Sequence, residues 1–426
     1  MRVSVEKTAP AQRFRLRPMV GRDPNQSHRA ASPLELLFDL TFVAAFAQAS
    51  DQLAEFLARG HVAAGVWGFA FIMISITWAW ISYTWFASAF DTDDWLQRVL
   101  TVVQMVGVVV LALGVPDVFH SIDDGESLDY RIVAAGYVIM RISMIVMWAR
   151  VARQDAANRR TALLYIVFTA GAQLGWLALL LLRVESVALL STLVVLLWVV
   201  ELLGPVVSTW EGAARGDAWH GTPWHARHIA ERYGLFVIIA LGEVVLGTIA
   251  AVAAVVAHVG WSTEAVLIVV AGIGTTLGLW WTYFIFPSGT VLARHRSRKW
   301  AWSYGHIALF GSVAAVGAGI RVAAFAAQGE ATIGTVGVVL STAVPVLAFC
   351  LLYFGLWSIL FRAVDPFHVG LAVGMIMFLA LAVVLALFGV PLGWCLFVVM
   401  LSPMVVIVGY ETGGYRHVEA DIAREG

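Results

Sequence analysis

HVGLAVGMIMFLALAVVLALF, residues 368–388, runs long enough to cross a bilayer without one acidic, lysine or arginine side chain. A spanning helix needs about 20 mostly apolar residues. Within hydrocarbon its backbone groups must be satisfied inside the segment, which selects the helix. Directly after it, Phe388-Gly-Val-Pro-Leu392 leaves room only for a tight turn before a further apolar run over 392–410. Working outward towards the N-terminus, the same reading predicts spans near 35–57, 62–86, 96–115, 131–149, 160–182 and 187–208. Five more follow near 230–256, 261–286, 301–321, 332–361 and 368–388, before the last at 392–410. The predicted fold is therefore all-α, a polytopic transmembrane bundle of about 12 spans. The first segment is its least apolar member, with Glu35, Asp39, Gln48 and Asp51.

Composition agrees with a membrane protein. Of 426 residues, 60% are hydrophobic and 13% charged, and the mean hydropathy is +0.83, far from a soluble domain's balance. The net charge of −1 gives no basis for nucleic-acid binding. Cys350 and Cys395 sit in apolar runs without the spacing of a disulfide framework or metal knuckle. The Arg-rich N-terminus lacks the apolar core of a cleaved signal peptide. The expected organisation is a basic cytoplasmic tail over 1–33, a membrane domain over 34–410 and a cytoplasmic tail over 411–426. Within the membrane domain, halves at about 34–209 and 228–410 are joined by a cytoplasmic loop, 210–227.

Charge along the chain orients the spans. Cytoplasmic segments carry excess Lys and Arg. With the N-terminus inside, they hold Arg13, Arg15, Arg17, Arg22 and Arg29, then Arg150, Arg153, Arg159 and Arg160, then Arg215 and Arg227, then Arg294, Arg296, Arg298 and Lys299. Outer loops receive Arg59, Arg131, Arg183 and Arg321, with the acidic run that includes Asp117, Asp123, Asp124, Glu126 and Asp129. Both termini are expected inside a bacterial inner membrane. A 200-residue offset also relates Trp80, Tyr83, Phe86 and Arg98 to Trp280, Tyr283, Phe286 and Arg298. The stretch from His28 to Phe38 resembles that from His225 to Leu235, which suggests a 6+6 parallel internal repeat. Chance likeness between aromatic-rich helices is the competing reading.

Ionisable groups inside a membrane cost roughly 2.5–3.5 kcal/mol on insertion scales and mark candidate sites. Glu35 and Asp39 lie one turn apart on one face. Glu243 follows Glu231 by about 18 Å of helix rise, near the expected midplane, where Gln48 has comparable depth. Arg141 lies mid-span and needs a carboxylate partner; Glu243 matches its depth, with Asp39 and Glu201 nearer the cytoplasm. The expected pair is Arg141–Glu243, either functional or simply holding helices together. Gln104, Gln173 and Ser402-Pro403 could complete a polar cavity. For Glu35 and Glu231, helix-start stabilisation is the simpler role. His306 is a candidate proton-handling residue, against a structural hydrogen-bonded histidine. His220, His225 and His228 surround the central loop, where water-facing histidines are the simpler reading, so no metal is expected. Trp80, Tyr83, Trp280, Trp281 and Tyr283 could line a cavity or belong to interfacial belts. Gly272-Ile-Gly274-Thr-Thr-Leu-Gly278 lacks the context of a phosphate loop and reads as close helix packing.

Ser32-Pro-Leu-Glu-Leu-Leu-Phe-Asp-Leu-Thr-Phe-Val43 resembles the opening motif of the bacterial low temperature requirement A (LtrA) family. His228-Ile-Ala-Glu-Arg-Tyr-Gly-Leu-Phe-Val-Ile-Ile-Ala-Leu-Gly-Glu243 resembles its second run. The likeness extends from about His28 to Tyr410, and its motif positions fall on Glu35, Phe38, Asp39, Phe42, Glu231, Arg232, Gly234, Gly242 and Glu243. Val244 departs from the family's usual Ser. The resemblance implies a bacterial inner-membrane protein linked to growth in the cold, and supplies no catalytic residues, cofactor or substrate.

Three functional classes remain open on the sequence. The first is a secondary transporter in which Asp39 and Glu243 handle protons or cations, and Arg141 pairs with Glu243 or attracts an anionic solute. The second is a sensor or assembly protein in which the same charges fix packing. The third is an intramembrane enzyme on lipid-like substrates, which no catalytic motif supports. The lipid bilayer is the one partner the sequence implies, beside a small solute or ion in the transporter reading.

Overall fold

The structure is a computed structural model that describes residues 16–27, 29–125, 128–182, 184, 187–216 and 221–416. Arg13, Arg15, His28, Glu126, Arg183, His220 and the tail over 417–426 lie outside the described residues.

Each expected span corresponds to a long helix: α1 (Pro33–Ala58), α2 (Val62–Phe90), α3 (Trp95–Leu113), α5 (Arg131–Gln154), α6 (Arg159–Leu182) and α7 (Val187–Ala214). Beyond the central loop come α8 (Ala226–Val259), α9 (Thr263–Ile285), α11 (Lys299–Ala327), α12 (Thr335–Phe361), α13 (Pro366–Leu387) and α14 (Leu392–Gly409). Two short helices, α4 (Val115–Asp123) and α10 (Ser288–Arg294), prolong α3 and α9. Among the described residues, eleven helices are long and apolar enough to cross a membrane. This is a multi-pass membrane protein. The exception is α1, long enough at 26 residues but loaded with Glu35, Asp39, Asp51 and Glu55.

Helix ends follow local chemistry. Ser32 accepts from the Glu35 N–H at 3.3 Å while Glu35 accepts from the Ser32 N–H at 2.7 Å, a reciprocal capping box that starts α1. Asp365 caps α13 through the Phe367 N–H at 2.9 Å, ahead of Pro366 at the first turn. The expected tight hairpin between α13 and α14 turns at Gly389, whose φ of 75° lies where side chains are strained.

The chain forms two compact units. One comprises the described residues of Met1–Thr41, Ala79–Leu113 and Tyr130–His225; the other those of Phe42–Trp78, Gly114–Asp129 and Ala226–Gly426. In the first, α3 packs on α5, α5 on α6 and α6 on α7. At the α3–α5 contact a Cβ on Gly107 would lie 2.7 Å from the Gly136 carbonyl, so small residues set the approach. In the second, α11 packs on α8 and α12, and α9 on α8 and α14. A Cβ on Gly317 would meet the Glu243 backbone at 2.5 Å, which seats α11 directly against the turn of α8 carrying that carboxylate.

Outward faces are apolar, with Leu181, Met377, Leu387 and Phe388 all exposed, as lipid requires. Polar side chains turn inward instead.

Candidate functional site

In the second unit, α1, α8 and α11 bring four polar groups together. Glu243 is 1% exposed, and the Ser50 hydroxyl lies beside its carboxyl group. Its Oε2 lies 4.0 Å from the Arg321 guanidinium, whose other arm pairs with Asp51. The Ser50 hydroxyl also reaches the Ala314 carbonyl at 3.4 Å. Side-chain exposure grades from 1% at Glu243 through 16% at Arg321 to 46% at Asp51. A guanidinium thus stands between a buried carboxylate and an exposed one. At 4.0 Å the inner contact is an ion pair without direct hydrogen-bond geometry.

Two sequence expectations change here. Arg321, placed in an outer loop, lies within α11, which continues to Ala327. Gln48 is exposed on α1, and Ser50, two residues on, is the buried group instead. Arg321 escaped notice because an arginine near an apolar run's end reads as a loop cation.

In the first unit, Arg141 pairs with Glu201 rather than Glu243. Its Nε lies 2.7 Å from Glu201 Oε1, and another guanidinium nitrogen donates to Tyr137 Oη at 2.5 Å. Tyr137 in turn donates to Glu201 Oε2 at 2.7 Å. The result is a triangle of contacts between α5 and α7, with both charged side chains 2% exposed. Gln104 is buried on α3, with its amide 4.0 Å from Met147 Sδ.

Near the start of α1, buried Asp39 accepts from Trp80 Nε1 at 2.6 Å. Phe38 packs on the Tyr83 ring at 4.1 Å between centroids, and Tyr83 Oη lies 3.1 Å from Thr101 Oγ1. Glu35 also meets Arg29 at 3.4 Å, and the same guanidinium reaches Asp91 at 3.4 Å. Burial raises the Asp91 carboxyl above its ordinary pKa, with the negative charge of Glu35 adding to the effect.

A third group in the second unit surrounds His306. Its Nδ1 contacts the Trp302 carbonyl at 2.8 Å and must carry the proton there. That leaves Nε2 facing Tyr283 Oη at 3.1 Å. Tyr353 donates to the Tyr283 carbonyl at 2.6 Å, and Tyr233 bonds Ser303. Trp280 differs from Trp80: it is 40% exposed, whereas Trp80 is fully buried. Tyr83 and Tyr283 are both buried. Tyr283 also borders an open recess of about 300 Å³ lined by Arg227, Glu231, Phe284, Ser288 and Thr290.

Among the remaining motif positions, Phe42 and Gly234 serve packing. Phe42 meets Phe236 edge-on at 5.8 Å, Arg232 is fully buried, and a Cβ on Gly234 would press on the Phe284 ring at 3.0 Å. Gly242 faces open space. His225 contacts the Gln26 carbonyl at 3.0 Å, and His228 is buried on α8.

A family model described as bacterial low temperature requirement A protein (LtrA) matches residues 30–403. An uncharacterized protein of Rhizobium meliloti (strain 1021) is 26% identical over 308 residues, covering 68% of this chain and 69% of that protein. No solved structure matches the chain.

Proposed function

The chain belongs to the bacterial low temperature requirement A family, and on that premise we propose that it is a proton- or cation-coupled secondary transporter. The observation that carries this reading is the graded series Asp51, Arg321, Glu243, Ser50. A carboxylate held inside a membrane helix is costly and is retained where it exchanges an ion. Here an exposed carboxylate gathers the ion, and Arg321 lowers the cost of charge on Glu243. Loss of charge on Glu243 would free Arg321 to bind Asp51 more fully, coupling ion arrival to side-chain position. Asp39, held by Trp80, is a second candidate carboxylate in the other unit.

In this reading the protein lies in the bacterial inner membrane with both termini cytoplasmic, because its arginines then cluster on the inner side. The related halves at about 34–209 and 228–410 would each supply one embedded carboxylate, Asp39 and Glu243. A packing role suits the Arg141 triangle better, since Arg141, Tyr137 and Glu201 contact one another between two helices.

Purified protein in sealed vesicles under an imposed pH gradient tests the proposal. Wild type is expected to give gradient-dependent ion or solute flux, and Glu243→Gln to reduce it by about tenfold or more, the loss set by removing an embedded charge. Absence of any flux from wild type, or equal flux from Glu243→Gln, overturns it.

A further inference from the structure

The recess beside α8 and α10 uses no member of the Glu243 series. Arg227 lies 16 residues before Glu243 on the same helix, about 24 Å along its axis. Arg227 and Glu231 are four residues apart on α8, and both line this space of about 300 Å³. That spacing normally lets opposite charges meet. Two other arginine–glutamate pairs at this spacing do so, Arg59–Glu55 at 2.7 Å and Arg215–Glu211 at 3.7 Å. Among the described residues Arg227 and Glu231 form no ion pair, and both line the recess.

The walls add hydroxyls from Ser288 and Thr290, and the rings of Tyr283, Phe284 and Phe286. A Cβ on Gly289 would lie 3.4 Å from Arg227 Cα, so α10 forms one side of the space. The volume corresponds to about ten waters at 30 Å³ each. It suits a head group with one phosphate and one ammonium.

A second observation indicates what carries that head group. Ile273, Leu277, Trp280 and Phe284 are all exposed, between 40% and 49%. Their spacing of four, three and four places them in one stripe along α9. The stripe ends at Phe284, which itself lines the recess. From Ile273 to Phe284 it extends about 16 Å, roughly half the hydrocarbon thickness of a bilayer. That is one leaflet's depth of apolar surface leading to two opposite charges that form no ion pair among the described residues.

We propose that this recess is a binding site for a zwitterionic phospholipid of the phosphatidylethanolamine class. Arg227 would receive the phosphate through charge-assisted hydrogen bonds. Glu231 would accept from the ammonium, Ser288 and Thr290 would bond the remaining oxygens, and an acyl chain would lie along the α9 stripe.

Native mass spectrometry of the detergent-purified full chain tests the assignment, with phosphatidylethanolamine, phosphatidylglycerol and soluble phosphoethanolamine titrated separately. Wild type should retain phosphatidylethanolamine preferentially. Glu231→Gln should weaken that lipid by about tenfold, the scale of one charged hydrogen bond, and leave phosphatidylglycerol unchanged. Arg227→Gln should weaken both lipids. Both side chains are exposed, so the variants should keep the wild-type melting temperature and elution volume. Equal retention of the two lipids by wild type, or phosphatidylethanolamine binding untouched in Glu231→Gln, overturns the proposal. Soluble phosphoethanolamine displacing the lipid at equal concentration would also overturn it, by assigning the site to a soluble zwitterion.

Discussion

Arg141 and Glu201 are each 2% exposed, so neither charge can draw on bulk water for solvation. Arg141→Met strands the Glu201 carboxylate, a change that costs about 3–5 kcal/mol in buried pairs. The double variant Arg141→Met, Glu201→Leu removes both charges and should recover most of that loss. Thermal unfolding in detergent reads the difference; equal melting of single and double variants would contradict the pairing. Sequence depth singled out Arg141, Glu201 and Glu243, and all three side chains are buried. It paired Arg141 with Glu243 because depth along a helix carries no information about which helices adjoin or which face points where. Arg321 and Ser50 were missed for related reasons. One looked like a loop cation, and the other is a common residue whose importance comes from the carboxylate beside it.

Elements were legible wherever apolar length alone decides them. The expected spans recur as long helices, and the 388–392 hairpin turns at Gly389. Ends were less legible. Helix α5 continues to Gln154 and α11 to Ala327, because helical hydrogen bonding outlasts the apolar stretch. The segment before α1 also has an unforeseen place. The Met19 N–H donates to Gln154 at 2.8 Å, the Gly21 N–H to Asp155 at 2.8 Å, and Arg17 to Asp94 at 3.2 Å. Arg150 clasps both Asp94 oxygens and also donates to the Arg17 carbonyl at 2.5 Å and to Gln154 Oε1 at 3.3 Å. Burial opposes charge on Asp94, but hydrogen bonds from Arg150, Gln97 and Arg17 outweigh it and hold its pKa at about 2.

A carboxyl with a depressed folded pKa stabilises the fold above its unfolded value, about 3.9. That contribution is lost as pH falls through the folded value. The segment over 16–26 should therefore resist an acid protease at about pH 4 and become cleavable as the pH approaches 2. Asp94→Asn should be cleaved at both. An Asp94→Asn protein as resistant as wild type at the higher pH would contradict the clasp.

At the scale of the whole molecule, hydropathy identified a multi-pass helical protein but could not rank its charges. The first helix falls short of the other eleven in apolar character, and it supplies Asp39 to one unit and Ser50 with Asp51 to the other. Its polar burden follows from that use: side chains that would be excluded from a lipid-facing helix are tolerated where protein surrounds them. The recess at Arg227 and Glu231 had no sequence signature, because an absent i,i+4 ion pair is visible only in three dimensions.

The central proposal is that Glu243 takes up and releases a proton or cation while Arg321, its counter-charge, shifts between Glu243 and Asp51. Infrared difference spectroscopy of the protein in vesicles after a pH jump follows carboxyl protonation directly. The account predicts a protonated-carboxyl band that disappears in Glu243→Gln and rises more slowly in Asp51→Asn. A band unchanged in Glu243→Gln, or no pH-dependent carboxyl band in wild type, would contradict it.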